Sequence, residues 1–437
     1  MTKTIYLITV FLLSAVSGLR GQTSRTMTIG EMFRMAETQN ADIGSAEKAV
    51  GVARQEEKIA RSARLPQVDL SLTLSYLGNG TILDRDFSNP TCDKLPHFGN
   101  TLGVELYQPV YTGGAIAGAV ALSKSQTELA GVGFDATKNT VRIAIVRNYL
   151  ELAKNRNLLA VYDENIRLTK KLLGEMRARH EQGVVLKNDI TRYELKLSSL
   201  GYDRLATENA IRICNSNLVS LLGIDDSTDI IPQPSAVYDD IREVDAWLQS
   251  AAVNAPQIRS YDVQTNMESI KRRIAKSEYI PKIGIVVGDS FLGPVTFEVP
   301  ALNKNYNAWF VGVNLKWNIS SLFTTHKSVK KHNMQIARIQ SAQSAEQESL
   351  NRRIHEAYTL YRQSIERLDI ERKNIQLAEE NYAVVSNRFD NRLALLTDML
   401  DASNALLEAG VRLVNAEISA QFYYYQLHFI SGTLITL

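Results

Sequence analysis

Two patterns of apolar and polar positions divide this chain. From Pro66 the sequence reads Pro-Gln-Val-Asp-Leu-Ser-Leu-Thr-Leu-Ser-Tyr, with an apolar or aromatic residue at every even position from Val68 to Tyr76 and polar residues between. A period of two places unlike residues on the two faces of a strand. The same alternation recurs at Leu102, Val104 and Leu106, at Ile283, Ile285 and Val287, and from Trp309 through Val311, Val313 and Leu315 to Trp317. Strands are expected over 66–76, 101–111, 281–291 and 308–319. Alternation of this length fits a strand with one face in lipid and one in water, and Trp309 and Trp317 have the spacing of two interfacial aromatics. A single such segment would equally suit a half-buried strand of a soluble sandwich.

The second pattern is helical and very long. All ten prolines lie at or before Pro109 or between Pro232 and Pro300, so 110–231 and 301–437 contain none. Proline removes a helix hydrogen bond and clashes with the preceding turn, so both stretches are free to run as helices. In the second, Leu350, Ile354, Tyr358, Tyr361, Ile365, Leu368, Ile375, Tyr382, Val385 and Phe389 recur with a period near 3.5, the spacing of a left-handed coiled coil. In the first, Val141, Ile143, Ile145, Val146, Leu150 and Leu152 cover more than one side, as a helix with neighbours on both flanks requires. Long helices are expected over 113–180 and 321–389, tip turns over 181–188 and 390–397, and return helices over 188–222 and 397–431. The first of these would be ~100 Å long at the helical rise. That is a rod rather than a core element.

These blocks are two copies of one unit. A gapless shift of 209 residues lays Gly103-Val104 on Gly312-Val313, Tyr149 on Tyr358, Asn165-Ile166 on Asn374-Ile375, Arg179 on Arg388, Asp189 on Asp398 and Gly223 on Gly432. Towards the N-terminus the shift becomes 215, with Ile43 on Ile258 and Leu65-Pro66 on Ile280-Pro281. A period of about 210 exceeds any solenoid repeat, so the chain is a duplicated half-protein. Repeat 1 covers 22–223 and repeat 2 covers 246–437, joined by 224–245.

Composition narrows the setting. Lys3, the apolar run Ile5 to Val16 and small residues to Gly21 have the layout of a secretory signal peptide over 1–21. No later stretch reaches the ~20 apolar residues of a membrane helix. The exported chain is therefore soluble or crosses a membrane as strands. Four strands cannot close a barrel, which starts at about eight, so a membrane reading needs several chains. The formal net charge of +2 gives no sign of nucleic-acid binding. Cys92 and Cys214 stand at unrelated repeat positions, and two cysteines make no framework. The six histidines form no metal-spaced pair and the eight methionines no soft-metal cluster, so no cofactor and no enzymatic chemistry is expected.

The duplicated order of helix, strand pair and long hairpin resembles the TolC family of outer-membrane efflux proteins over the whole mature sequence. The junction Leu106-Tyr107-Gln108-Pro109-Val110-Tyr111-Thr112-Gly113-Gly114, the repeat end Leu221-Leu222-Gly223-Ile224, and the turn with Gly183 six residues before Asp189 also carry the likeness. The resemblance implies an α+β membrane protein: a homotrimer with a twelve-stranded barrel in the outer membrane, four strands per chain, continued by a long α-helical coiled-coil barrel across the periplasm. In that architecture 28–62 and 246–277 are shorter helices leading to the strands, and 224–245 is an equatorial linker. The chain would be the duct of a tripartite efflux or type I export system, taking small molecules or polypeptide from a periplasmic adaptor (membrane-fusion) protein and an inner-membrane pump. Its surroundings would be outer-membrane lipid in a Gram-negative bacterium.

The resemblance places a periplasmic gate at Asp189 in the first copy and at Asp398 and Asp401 in the second. Spacing agrees, because residues three apart share a helix face. The competing reading is that these aspartates cap a helix and face solvent. The family's tyrosine and arginine tethers fall on Phe389 and Ala394, and Arg392, at the turn-glycine position, is either a substitute cation or a solvated arginine. Gly183, Val184 and Val185 form an apolar turn that a soluble rod has no reason to expose, and are the expected adaptor contact. The alternative to a duct is an exported structural or adhesive coiled-coil protein.

Overall fold

The computed structural model describes residues 23–233, 242–298, 300–391 and 393–436. The expected signal peptide lies outside them, as do part of the expected linker and Arg392. The described residues fall into two compact units. One is drawn from Met1–Lys48, Val132–Ser260 and Gln343–Leu437, the other from Ala49–Gly131 and Tyr261–Ala342.

The second unit contains the sheet. Strands β2 (Gln67–Tyr76), β5 (Phe98–Tyr111), β7 (Lys282–Gly293) and β8 (Tyr306–Lys316) pair antiparallel in the order β2-β5-β7-β8. Register puts Leu72 opposite Leu102 and Leu102 opposite Phe291, while Val68, Leu106, Val287 and Val311 form another row. One face is therefore largely apolar, interrupted by Asn100, Gln108, Asp289 and Asn307, and it is open: Leu70 is 73% exposed, Leu72 64% and Val313 74%. The opposite face carries Asp69, Ser71, Thr73 and Glu105. On that face Gly284 and Gly288 leave room for the rings of Tyr107 and Phe310, which lie where a β-carbon would stand. Strands β2 and β8 are edges. A short hairpin, β3 (Gly80–Ile82) with β4 (Thr91–Asp93), is an unexpected element of the loop between β2 and β5.

The first unit is mainly helical, and several helices continue into the residues of the second. The expected helix 28–62 is two helices, α1 (Ile29–Gln39) and α2 (Ala41–Ser62), the latter mostly in the second unit. Asn40 breaks it: its backbone is extended, and its side-chain oxygen accepts from the Asp42 and Ile43 amides at 2.9 and 3.0 Å. The expected helix 246–277 is likewise α5 (Val244–Asn254) and α6 (Pro256–Lys276), broken at extended Ala255 because proline suits the first helical position but not an interior one. Asn40 and Ala255 are equivalent under the 215-residue shift.

The long helices are α3 (Ala115–Glu181), 67 residues, and α7 (Ser321–Asp390), 70 residues, returning as α4 (Lys187–Leu222) and α8 (Leu396–Ile430). Both return helices stop at a glycine, Gly223 at φ 64° and Gly432 at φ 74°. A β-carbon there would stand 2.8 Å from the Gln39 carbonyl oxygen and 2.4 Å from that of Asn254, so each glycine is required twice over.

The linker 224–245 is not only a connection. Its strand β6 (Thr228–Pro232) pairs in parallel with β1 (Thr23–Met27). Asn215 on α4 extends this ladder, donating to the Thr228 carbonyl and accepting from the Ile230 amide, both at 2.8 Å. The Tyr149 hydroxyl donates to the Gln233 carbonyl at 2.6 Å, and burial pushes its phenol up to about 12. The main core lies beneath, with Phe33, Ile145, Leu218, Trp247, Ile354 and Leu427 all buried.

Candidate functional site

The residues singled out by sequence gather at one end of the first unit, where the two hairpins turn. Helix α3 ends in a left-handed Gly183 at φ 75°, with the Gly183 amide donating to the His180 carbonyl at 2.8 Å and the Val184 amide to that of Arg179 at 3.0 Å. A His180 ring nitrogen donates to the Val185 carbonyl at 2.6 Å. The chain then leaves through Leu186 into α4. In the second turn the Leu393 amide donates to the Arg388 carbonyl at 2.7 Å, and Leu395 precedes α8.

An apolar cluster lies inside this end: Leu172, Leu173, Met176, Ile190, Tyr193, Phe389 and Met399 are all buried. It draws on all four hairpin helices. Phe389, expected at the gate, is a buried member of this cluster. Val185 also packs on the cluster, so of the expected adaptor contact only Gly183 and Val184 stand clear. Leu186, Leu393 and Leu395 are exposed beside them at 72, 69 and 70%. Sequence reasoning missed these three leucines, although each sits in an expected turn, where an apolar residue has no core to enter.

The aspartates differ. Asp398 occupies the first turn of α8, and one carboxylate oxygen accepts from the Leu395 amide at 2.9 Å. That is a helix cap, the role of the competing reading, with the carboxylate still exposed. Asp401, one turn on, is exposed. Asp189 is half-buried in a cleft of about 280 Å³ between the turns, walled by Arg179, Val184, Phe389, Ala394 and Leu395. Among the described residues no side chain donates to its carboxylate. Arg392 lies outside them.

Lys196 was not foreseen. It enters from α4 beside Tyr193, donates to the buried Ser403 hydroxyl at 2.6 Å, and burial lowers its ammonium to about 8. Burial likewise raises the Tyr193 phenol, with Tyr382 and Asp401 adding to the effect. The available signal was a lysine flanked by the apolar positions Tyr193, Leu197 and Leu200. Cys92 and Cys214 are both free thiols.

Two long helical hairpins and an amphipathic four-stranded sheet in one chain point to a class of channel protein. The chain belongs to the outer membrane efflux protein family, whose sequence description matches residues 33–223 and again 247–433. Outer membrane efflux protein BepC of Brucella suis is 20% identical over 400 residues, spanning 91% of this chain and 84% of that one. Protein CyaE of Bordetella pertussis is 21% identical over 233 residues, 53% of this chain and 47% of its own. Among solved structures, the CmeC outer membrane channel of Campylobacter jejuni superposes with a TM-score of 0.77 at 15% identity, covering 93% of this chain and 86% of that one. The outer membrane protein VceC of Vibrio cholerae gives 0.75 at 15% identity, covering 92 and 96%. The fold is thus that of outer-membrane channels, and no helix among the described residues is long and apolar enough to span a bilayer.

Proposed function

We propose that three copies of this chain close a twelve-stranded barrel in the outer membrane and a helical barrel below it, forming the passive duct of a tripartite efflux or type I export system. One observation carries the reading: the sheet exposes an apolar face, and both its edge strands are unpaired within the chain. An open edge is not tolerated in hydrocarbon, where every amide and carbonyl needs a partner. Further copies supply those partners, β8 of one chain meeting β2 of the next. The helices support the same assembly, since Ile370, Leu377 and Val384 repeat at seven-residue spacing on α7 and are exposed, as are Leu195, Tyr202 and Ile213 on α4.

The apolar turns, Val184 and Leu186 in one copy and Leu393 and Leu395 in the other, form the docking surface for a periplasmic adaptor that links the duct to an inner-membrane pump. Asp398 and Asp401 from three chains ring the closed end as a cation-attracting gate, with Asp189 behind them. Relatives named as outer membrane efflux protein and outer membrane channel favour efflux over an adhesive or structural role. The test is reconstitution of the purified full chain in planar bilayers. Discrete conductance steps, cation-selective and blocked by multivalent cations from the periplasmic side less strongly as salt rises, are expected. A preparation that inserts and never conducts favours the structural reading.

A further inference from the structure

One register row crosses the polar face of the sheet on all four strands. Asp69 on β2 stands opposite Glu105 on β5, Glu105 opposite Gly288 on β7, and Gly288 opposite Phe310 on β8. Side chains paired in this way share one face, with β-carbons ~5 Å apart. A β-carbon on Gly288 would collide with the Phe310 ring, so the ring lies over β7 and takes the glycine's place in the row, next to Glu105. Tyr107, two residues along β5 from Glu105, leans over Gly284 in the same way. Val286, between the two glycines, is buried, whereas Phe310 is 55% exposed. Its ring rests on the wall and remains open on the other side.

The stability of the sheet accounts for neither half of this row. Carboxylates directly opposite each other on neighbouring strands repel. Asp69 and Glu105 are both exposed, and no ion pair relieves them among the described residues. A ring left more than half open, on a face that otherwise carries Ser71, Thr73 and Thr101, gains only part of what burial would give it.

We propose that the row is a wall subsite for flat lipophilic cations, which stack on Phe310 while Glu105, with Asp69 behind it, balances their charge. The inference rests on the duct reading above, which makes the polar face the lumen, and it names a class of cargo. An aromatic face attracts a cation lying over it, and a planar apolar one adds stacking area. A small inorganic cation uses only the carboxylates and an anionic aromatic only the ring. The class that uses both is the one retained.

The test measures fluorescence anisotropy of rhodamine 6G, a flat aromatic cation, with the full-length protein in lipid nanodiscs, empty nanodiscs giving the background. Fluorescein, with the same ring system and negative charge, is the matched control. Rhodamine 6G should bind saturably and fluorescein should not. Phe310→Leu, which keeps an apolar cover over Gly288, should weaken rhodamine binding by about fivefold or more, and Phe310→Tyr should stay within about twofold of wild type. Glu105→Gln should weaken it by about fivefold or more and remove much of its salt dependence. Wild-type affinity in both Phe310→Leu and Glu105→Gln, or equal binding of fluorescein, would overturn the subsite. Should Phe310→Leu not assemble, Glu105→Gln, which removes no packing, decides alone. Planar bilayers separate the two readings: saturable binding in a protein that never conducts sinks the duct and leaves the subsite, while conduction without saturable binding does the reverse.

Discussion

At the scale of single residues, the end formed by the two turns uses chemistry in ways that spacing alone does not reveal. Asp398 both caps a helix and carries a charge, so its replacement by alanine would remove two things at once. Asparagine keeps an acceptor oxygen and removes only the charge. Asp398→Asn with Asp401→Asn is therefore the clean variant for the proposed gate ring. Lys196 is the second case. Its folded-state ammonium titrates near 8, below the ordinary 10.5, so between those values the unfolded chain holds the extra proton and folding is favoured by rising pH. Melting of the wild type, measured against Lys196→Met, should shift upward from pH 8 to 10.5, and Lys196→Met should be the more stable protein at pH 7. Tyr193 and Tyr382 are common to both and cancel. A difference that is flat across the window would mean that Lys196 reaches water. The burial of Lys196 was not legible in the sequence, since it depends on Ser403 from a helix about 200 residues away.

At the scale of elements, alternation and proline placement exposed the strands and long helices, because both are local consequences of side-chain period and backbone hydrogen bonding. What remained hidden depended on single capping or pairing events. Asn40 splits an otherwise helical run through two side-chain bonds, and β6 exists only because a five-residue segment finds β1 some 200 residues earlier. The register of β2 makes a sharp prediction. Leu72 stands on the apolar face and Thr73 on the polar one. Leu72→Arg should cost about 2–4 kcal/mol near mid-strand and impair insertion, whereas Thr73→Arg should insert with little loss. Outer-membrane yield of the two variants, with heat-modifiable migration, checks this. Equal defects would mean that neither face meets lipid.

At the scale of the whole molecule, one chain holds a sheet that cannot close and helices with exposed apolar seams, so assembly is where the account is most exposed to refutation. Gly223 and Gly432, matched by the 209-residue shift, meet the same requirement, each ending a return helix against a carbonyl at the end of a shorter one. The number of copies is not encoded in any such local contact. It follows from barrel closure between chains, which one sequence does not carry. The decisive measurement is cross-linking in outer membranes, in a background where Cys92 and Cys214 are replaced and single cysteines are scanned along the β2 and β8 edges. Edge-to-edge closure of three copies predicts disulfide-linked species that end at the trimer on a non-reducing gel, for cysteine pairs in one register only. Pairs that never link between chains, or a ladder that continues past three, would contradict it.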